Sequence, residues 1–158
     1  MFCYDIMFIM TQGATYTIII FLAFAGFLIA RYIRHHKKNV KEALVCPLKA
    51  NCDTVIHSDY SVILGIPLEI LGMTYYGLLA ISYGLLIILP IFGQPLIVSG
   101  LLLATVCAFA FSIYLTLVQA FVIKNWCTWC LISATICATI FVIDAITSPF
   151  FLLLISDF

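Results

Sequence analysis

The sequence predicts an all-α integral-membrane protein built as a four-helix bundle, and three observations support this class. Hydrophobic residues make up 65% of the 158 residues and charged residues only 9%, whereas soluble domains carry about 25% charged residues. Four apolar stretches are each long enough to cross a bilayer, which takes roughly 20 residues. The alternation of polar and apolar residues that is typical of β-barrel strands is absent. The spans must therefore be helices, in which the backbone N–H and C=O groups bond to each other within the lipid.

The four predicted spans form a single transmembrane domain over residues 1–158. They cover residues 7–33, 67–89, 96–123 and 126–146. The first residues lack a basic stretch and a cleavage site, so we expect the first apolar segment to stay in the protein and not to act as a signal peptide. The second and third connections are short, which forces neighbouring helices to be antiparallel.

The connection between the first two spans, about residues 34–66, is the only long polar loop. Residues 60–66 at its end are apolar but too short to span, and Pro67 suits the first turn of a helix. We therefore predict an interfacial half-helix over residues 60–66. Counting the crossings places this loop and the turn at Lys124 on one membrane face, and both termini on the other.

Two unequal cysteine pairs lie on the loop face. Cys46 and Cys52 enclose five residues of the long loop, and Cys127 and Cys130 enclose two residues where the fourth span begins. A helix N-terminus favours the thiolate, which is the form that attacks a disulfide. Cys130 lies about 4.5 Å deeper along the helix axis. The pairs together predict thiol–disulfide exchange that passes electrons to an acceptor dissolved in the membrane.

Other interpretations of the cysteines remain open. Four cysteines can hold a structural zinc ion, although five intervening residues exceed the usual spacing of two to four. Each pair can also be a structural disulfide, and either case would make the chain a non-catalytic membrane interaction protein. We favour redox chemistry and predict no metal site. Nothing in the composition supports nucleic-acid binding.

The cysteine motifs resemble those of the vitamin K epoxide reductase family. The matching positions are Cys46, Cys52, Ser58, the Gly-Ile-Pro sequence at 65–67, and Cys127-x-x-Cys130. The resemblance extends from the first span through the fourth. A second family of quinone-linked four-helix oxidases carries its Cys-x-x-Cys in the first loop, and the order of the pairs here argues against that family.

The resemblance implies a quinone-dependent thiol oxidoreductase that supports protein disulfide formation. It implies that Cys130 lies next to a quinone of the ubiquinone or menaquinone type, and that Cys127 forms a disulfide with Cys52 during transfer. Cys46 would then exchange with a separate thioredoxin-like protein. Ser58 corresponds to the functional serine of the family, although from the sequence alone it could equally cap the half-helix.

The quinone contacts expected from the sequence are Cys130, Trp129 and Ala134. Trp129 suits the headgroup level of the membrane, and it could instead wall a ring-shaped ligand. Vertebrate members of the family have a tyrosine at the position of Ala134. This difference favours simple quinone reduction over epoxide reduction. We expect the chain to resemble the prokaryotic, disulfide-forming members of the family and to have no fused thioredoxin-like domain.

The charges predict which side of the membrane the cysteines face. All seven Lys and Arg residues lie on the side of the cysteine pairs: Arg31, Arg34, Lys37, Lys38, Lys41, Lys49 and Lys124. Short loops rich in Lys and Arg stay cytoplasmic. We therefore predict a multi-pass protein of the cell membrane whose cysteines face the cytoplasm, inverted relative to the extracytoplasmic orientation of bacterial relatives. Cytosolic disulfides occur in hyperthermophiles.

Overall fold

A computed structural model describes the backbone of residues 2–38, 46, 52–63, 65–89 and 95–147, and the side chains of these residues except 2–11 and 95. The helices are α1 (Phe2–Lys38), α2 (Cys52–Ile56), α3 (Leu68–Ile88), α4 (Pro95–Leu117) and α5 (Thr128–Thr147). Four of them, all but the short α2, are long and apolar enough to cross a membrane. The predicted membrane four-helix bundle is therefore confirmed.

Helix α1 continues beyond the predicted end of the first span. It ends at Lys38 instead of residue 33, so the cations from Arg31 onward lie on the last two turns of a helix. Positive side chains are favourable at a helix C-terminus because they face the negative end of its dipole. Helix α4 continues as a π-helical segment, Val118–Ile123, and Lys124 then turns the chain in a left-handed conformation with φ 54°.

The half-helix predicted over residues 60–66 is wrong. A 3₁₀ turn, Asp59–Ser61, leads into an antiparallel pair of two-residue strands, β1 (Val62–Ile63) and β2 (Ile66–Pro67). Gly65 has φ 80°, a conformation that suits a hairpin connection and disfavours a helix. Pro67 also disfavours helical backbone at Ile66. The chain consequently enters α3 from an extended segment.

The centre of the bundle is built by α1, α3 and α5, with α4 packed against α5. Its largest apolar cluster joins Ile19 and Ala23 of α1 to Tyr76, Leu79, Tyr83 and Leu86 of α3 and Ile140 of α5. A buried acid, Asp144, lies near this cluster. It accepts hydrogen bonds from Tyr83 Oη at 2.5 Å and from Thr105 Oγ1 at 2.9 Å. Both carboxyl oxygens are thus paired, as burial in an apolar bundle requires.

Gly26 of α1 provides the space that the Tyr76 ring occupies. A Cβ atom at residue 26 would lie 2.6 Å from the ring carbons of Tyr76. We expect Gly26→Ala to lower the free energy of unfolding by about 1–3 kcal/mol, because overpacking moves the ring. Thermal unfolding in detergent measures this change. Gly84→Ala in α3 is the control, since nothing lies within 4 Å of the added carbon, and equal melting of both variants would contradict the packing.

Candidate redox site

Cys127 lies at the N-terminus of α5, as predicted. It immediately precedes the helix, and its carbonyl oxygen accepts a hydrogen bond from the N–H of Leu131 at 3.0 Å. The N–H of Cys130 donates to Cys127 Sγ at 3.3 Å. The sulfur atom therefore occupies the position of a capping side chain, where unpaired N–H groups stabilise negative charge.

This geometry favours the thiolate of Cys127. A hydrogen bond with the Cys130 side chain lowers the pKa of the Cys127 thiol, and the backbone N–H groups of Cys130 and Trp129 lower it further. Burial acts in the opposite direction but does not reverse the shift. Cys127 is therefore the sulfur of the helix pair that is prepared for exchange with another sulfur.

Gln119 supports the same residue from the end of α4. It is buried in the π-helical segment, and its Oε1 accepts a hydrogen bond from the N–H of Cys127 at 3.2 Å. The extra residue of a π-turn changes the direction of side chains, and such turns are frequent at functional sites. The sequence analysis did not identify Gln119, because a glutamine near a helix end carries no signal of this contact.

The loop pair packs directly over the helix pair. Cys46 and Cys52 form a disulfide with a Cα–Cα distance of 6.0 Å. Cys52 and Cys127 belong to one cluster of buried residues, and Cys46 and Cys130 pack against it. Both Cys52 and Cys127 have at most 1% of their surface exposed. All four predicted cysteines thus come together, with the loop pair oxidised and the helix pair present as free thiols.

The match to known families agrees with this geometry. The sequence profile of the Vitamin K epoxide reductase family matches residues 17–145, which includes all four membrane helices from Thr17 onward and both cysteine pairs. The chain belongs to the vitamin K epoxide reductase family. No curated protein matches the chain at a significant level. Membership identifies the protein as a membrane thiol–disulfide oxidoreductase, in agreement with the cysteine arrangement.

Beside the cysteines, a cavity of about 410 Å³ lies among α1, the loop, α3, α4 and α5. Its volume falls within the range of small-molecule sites. Cys130, Ser133, Ala134 and Cys137 of α5 line one side, and most of the remaining lining is apolar. Cys130 consequently contacts Cys127 on one side and borders the cavity on the other.

The three predicted site residues other than cysteine differ in whether they line this cavity. Ala134 and Ser58 line it. Ser58 Oγ donates a hydrogen bond to the carbonyl oxygen of Val55 at 2.7 Å, and it makes no capping bond to the 3₁₀ turn that follows. Trp129 packs against the ring of Tyr32 with 4.9 Å between ring centroids, and it is not among the described residues that line the cavity.

The polar lining of the cavity suits a ring with carbonyl oxygens. Glu69 Oε2 and the Tyr75 hydroxyl are both buried and have no hydrogen-bond partner of normal geometry, although the Tyr75 hydroxyl lies beside Cys137 and Thr105. Buried polar atoms without partners are rare in proteins and cost free energy. The Tyr75 hydroxyl can donate to a quinone carbonyl oxygen, Glu69 Oε2 can accept from the hydroxyl group of the reduced ring, and the ring itself would contact the apolar walls, so the residues fit this ligand. Neither residue was predicted as a ligand contact.

Proposed function

We propose that the protein oxidises the dithiol of a thioredoxin-like partner and passes the electrons through both cysteine pairs to a membrane quinone. This activity would support the formation of disulfides in other proteins. The position of Cys130 carries the proposal, because its backbone N–H contacts Cys127 Sγ and the residue lines an apolar cavity of suitable size. The loop disulfide packed on the same cluster supplies the route from the partner.

The exchange reactions follow from the positions of the sulfur atoms. The partner dithiol reduces the Cys46–Cys52 disulfide, and the Cys52 thiolate attacks Cys127 Sγ of a Cys127–Cys130 disulfide. A Cys52–Cys127 bond forms while Cys130 leaves as the thiolate. Cys46 then attacks Cys52, which restores the loop disulfide and frees Cys127. The result is the arrangement in the structure, an oxidised loop pair above a reduced helix pair.

The cavity residues would hold the electron acceptor. A bound quinone supplies a sink for two electrons and two protons. Cys130 stands at the wall of the cavity, the small side chain of Ala134 leaves room for a ring, and the apolar lining keeps water away from the sulfur. Re-formation of the Cys127–Cys130 bond releases two electrons and two protons and prepares the pair for the next exchange.

Quinone reduction by the purified protein tests this proposal. We expect a reduced thioredoxin-like dithiol to drive reduction of a short-chain ubiquinone with one quinone consumed for each dithiol. The rival function is a non-catalytic interaction protein with structural disulfides or a zinc site. The loop disulfide already uses two of the four thiols that such a site needs, and the described residues contain no cluster of three metal-binding side chains. Bound zinc without turnover would overturn the proposal.

We further propose that the cysteine face is cytoplasmic. Arg31, Arg34, Lys37 and Lys38 lie at the end of α1 beside the loop cluster, and Lys124 precedes Cys127. An alkaline phosphatase fusion at residue 42 is expected to be inactive, because the enzyme is active only outside the cytoplasm. A fusion after Thr147, where α5 ends on the opposite face, is the matched control and is expected to be active. The reverse pattern would contradict the inverted orientation.

A further inference from the structure

Glu69 has an unusual position in the first turn of α3. Its side chain is only 6% exposed, and Oε1 accepts a hydrogen bond from the Lys37 ammonium at 2.8 Å. Lys37 also donates to Ser61 Oγ at 3.0 Å. The second oxygen, Oε2, is buried without a partner, and Glu69 lines the cavity that Cys130 borders.

A purely structural role explains the contacts of only one of the two carboxyl oxygens of Glu69. An acid in the first turn of a helix faces the positive end of the helix dipole, and the ion pair with Lys37 anchors α3 to α1. Both roles are fulfilled by one oxygen. Leaving the other oxygen of a buried carboxyl unpaired costs more than a typical hydrogen bond contributes. A cavity ligand with a hydroxyl group would donate the missing hydrogen bond.

We propose that Glu69 is the proton-transferring and ligand-orienting group of the quinone cavity. This inference rests on the proposed function and assigns the site a residue that directly contacts its ligand. Lys37, which also donates to Ser61 Oγ, holds Oε1, so that Oε2 is the carboxyl oxygen left for a ligand of the cavity that Glu69 lines. A ligand in this cavity can contact both Glu69 and Cys130, because both residues line it.

The proton balance gives Glu69 a defined task. When Cys127 and Cys130 form their disulfide, the two sulfur atoms lose two electrons and two protons. The same two electrons and two protons convert a quinone to the hydroquinone, so no other oxidant or reductant is needed. The Glu69 carboxylate takes the proton of the Cys130 thiol at Oε2 and donates it to one ring oxygen, which returns the carboxyl to its ionised form. The second ring oxygen takes its proton from water, which received the Cys127 proton when that thiolate formed. General acid–base groups of this kind contribute about 10²–10⁴-fold to a rate.

Glu69→Gln tests the inference because it keeps the shape of the side chain and removes proton transfer. With short-chain ubiquinone as the probe, we expect kcat to fall by roughly 100-fold or more, and Glu69→Asp to recover part of the loss. A second measurement needs no quinone. Alkylation of Cys130 by N-ethylmaleimide in the reduced protein should become faster in Glu69→Gln, because the carboxylate charge that disfavours a thiolate beside it is gone.

Lys37→Gln is the matched control, since it removes the ion pair and keeps the carboxyl. We expect a clearly smaller loss of kcat than in Glu69→Gln, and unchanged alkylation of Cys130. Equal loss in the two variants would show that the ion pair matters only for structure and would overturn the inference. Wild-type kcat and alkylation in Glu69→Gln would also overturn it while leaving the proposed function intact. Absence of quinone reduction in the wild-type protein would instead refute the proposed function.

Discussion

Cys130→Ala is expected to lower quinone reduction by roughly 1,000-fold or more, because loss of an essential nucleophile removes most of an enzyme's rate. The same variant should accumulate a Cys52–Cys127 disulfide. Cys127 can still attack the loop disulfide that packs against it, but no neighbouring thiol remains on α5 to resolve the bond. Non-reducing peptide mapping by mass spectrometry measures the trapped species.

Cys137→Ala is the matched control for this experiment. Cys137 lies on the same helix and lines the same cavity, but it is about two turns from Cys130 and packs as a buried apolar residue. We expect this variant to keep most of its turnover and to accumulate no mixed disulfide. Equal loss of activity in both variants would contradict a specific role for Cys130.

Replacing both loop cysteines, Cys46→Ala with Cys52→Ala, should stop turnover with every dithiol reductant, large or small. The reason is accessibility: Cys127 has no exposed surface, so a dithiol in solution cannot reach its sulfur. Electrons must therefore enter through the loop pair that packs above it. Quinone reduction driven by dithiothreitol and by a reduced thioredoxin-like protein measures the effect.

The double variant leaves Cys130 and the cavity unchanged, so its folding can be checked independently. Short-chain ubiquinone should still bind, as measured by quenching of the two tryptophans, Trp126 and Trp129. Full activity with dithiothreitol would show that the helix pair is directly accessible, and the loop pair would then be dispensable.

The sequence was sufficient for the bundle and for the meeting of the cysteine pairs. Long apolar segments in lipid have to be helical, and the count of crossings places both pairs on one face. The start of α5 was also predictable, because Cys127 follows a short polar turn. These features depend on the composition of each segment and on the order of the segments, and both can be read directly along the chain.

The sequence was not sufficient for features that depend on contacts between distant residues. The strands Val62–Ile63 and Ile66–Pro67 pair because of the positive φ at Gly65 and the constraint from Pro67, whereas the apolar character of residues 60–66 alone predicted a half-helix. Glu69 lies in the first turn of α3, where an acidic residue is common and does not indicate a ligand contact. Its unusual environment is apparent only when Lys37, 32 residues away, is seen to bind Oε1 while Oε2 stays buried without a partner.

A single-turnover disulfide map tests the proposed electron path most directly. Fully reduced protein is mixed without oxygen with one equivalent of short-chain ubiquinone, quenched with acid and N-ethylmaleimide, and digested for mass spectrometry. We predict that the Cys127–Cys130 disulfide appears first and that the Cys46–Cys52 disulfide follows by exchange. A Cys46–Cys52 bond that forms first, or no disulfide that depends on quinone, would contradict the path from Cys130 to the cavity.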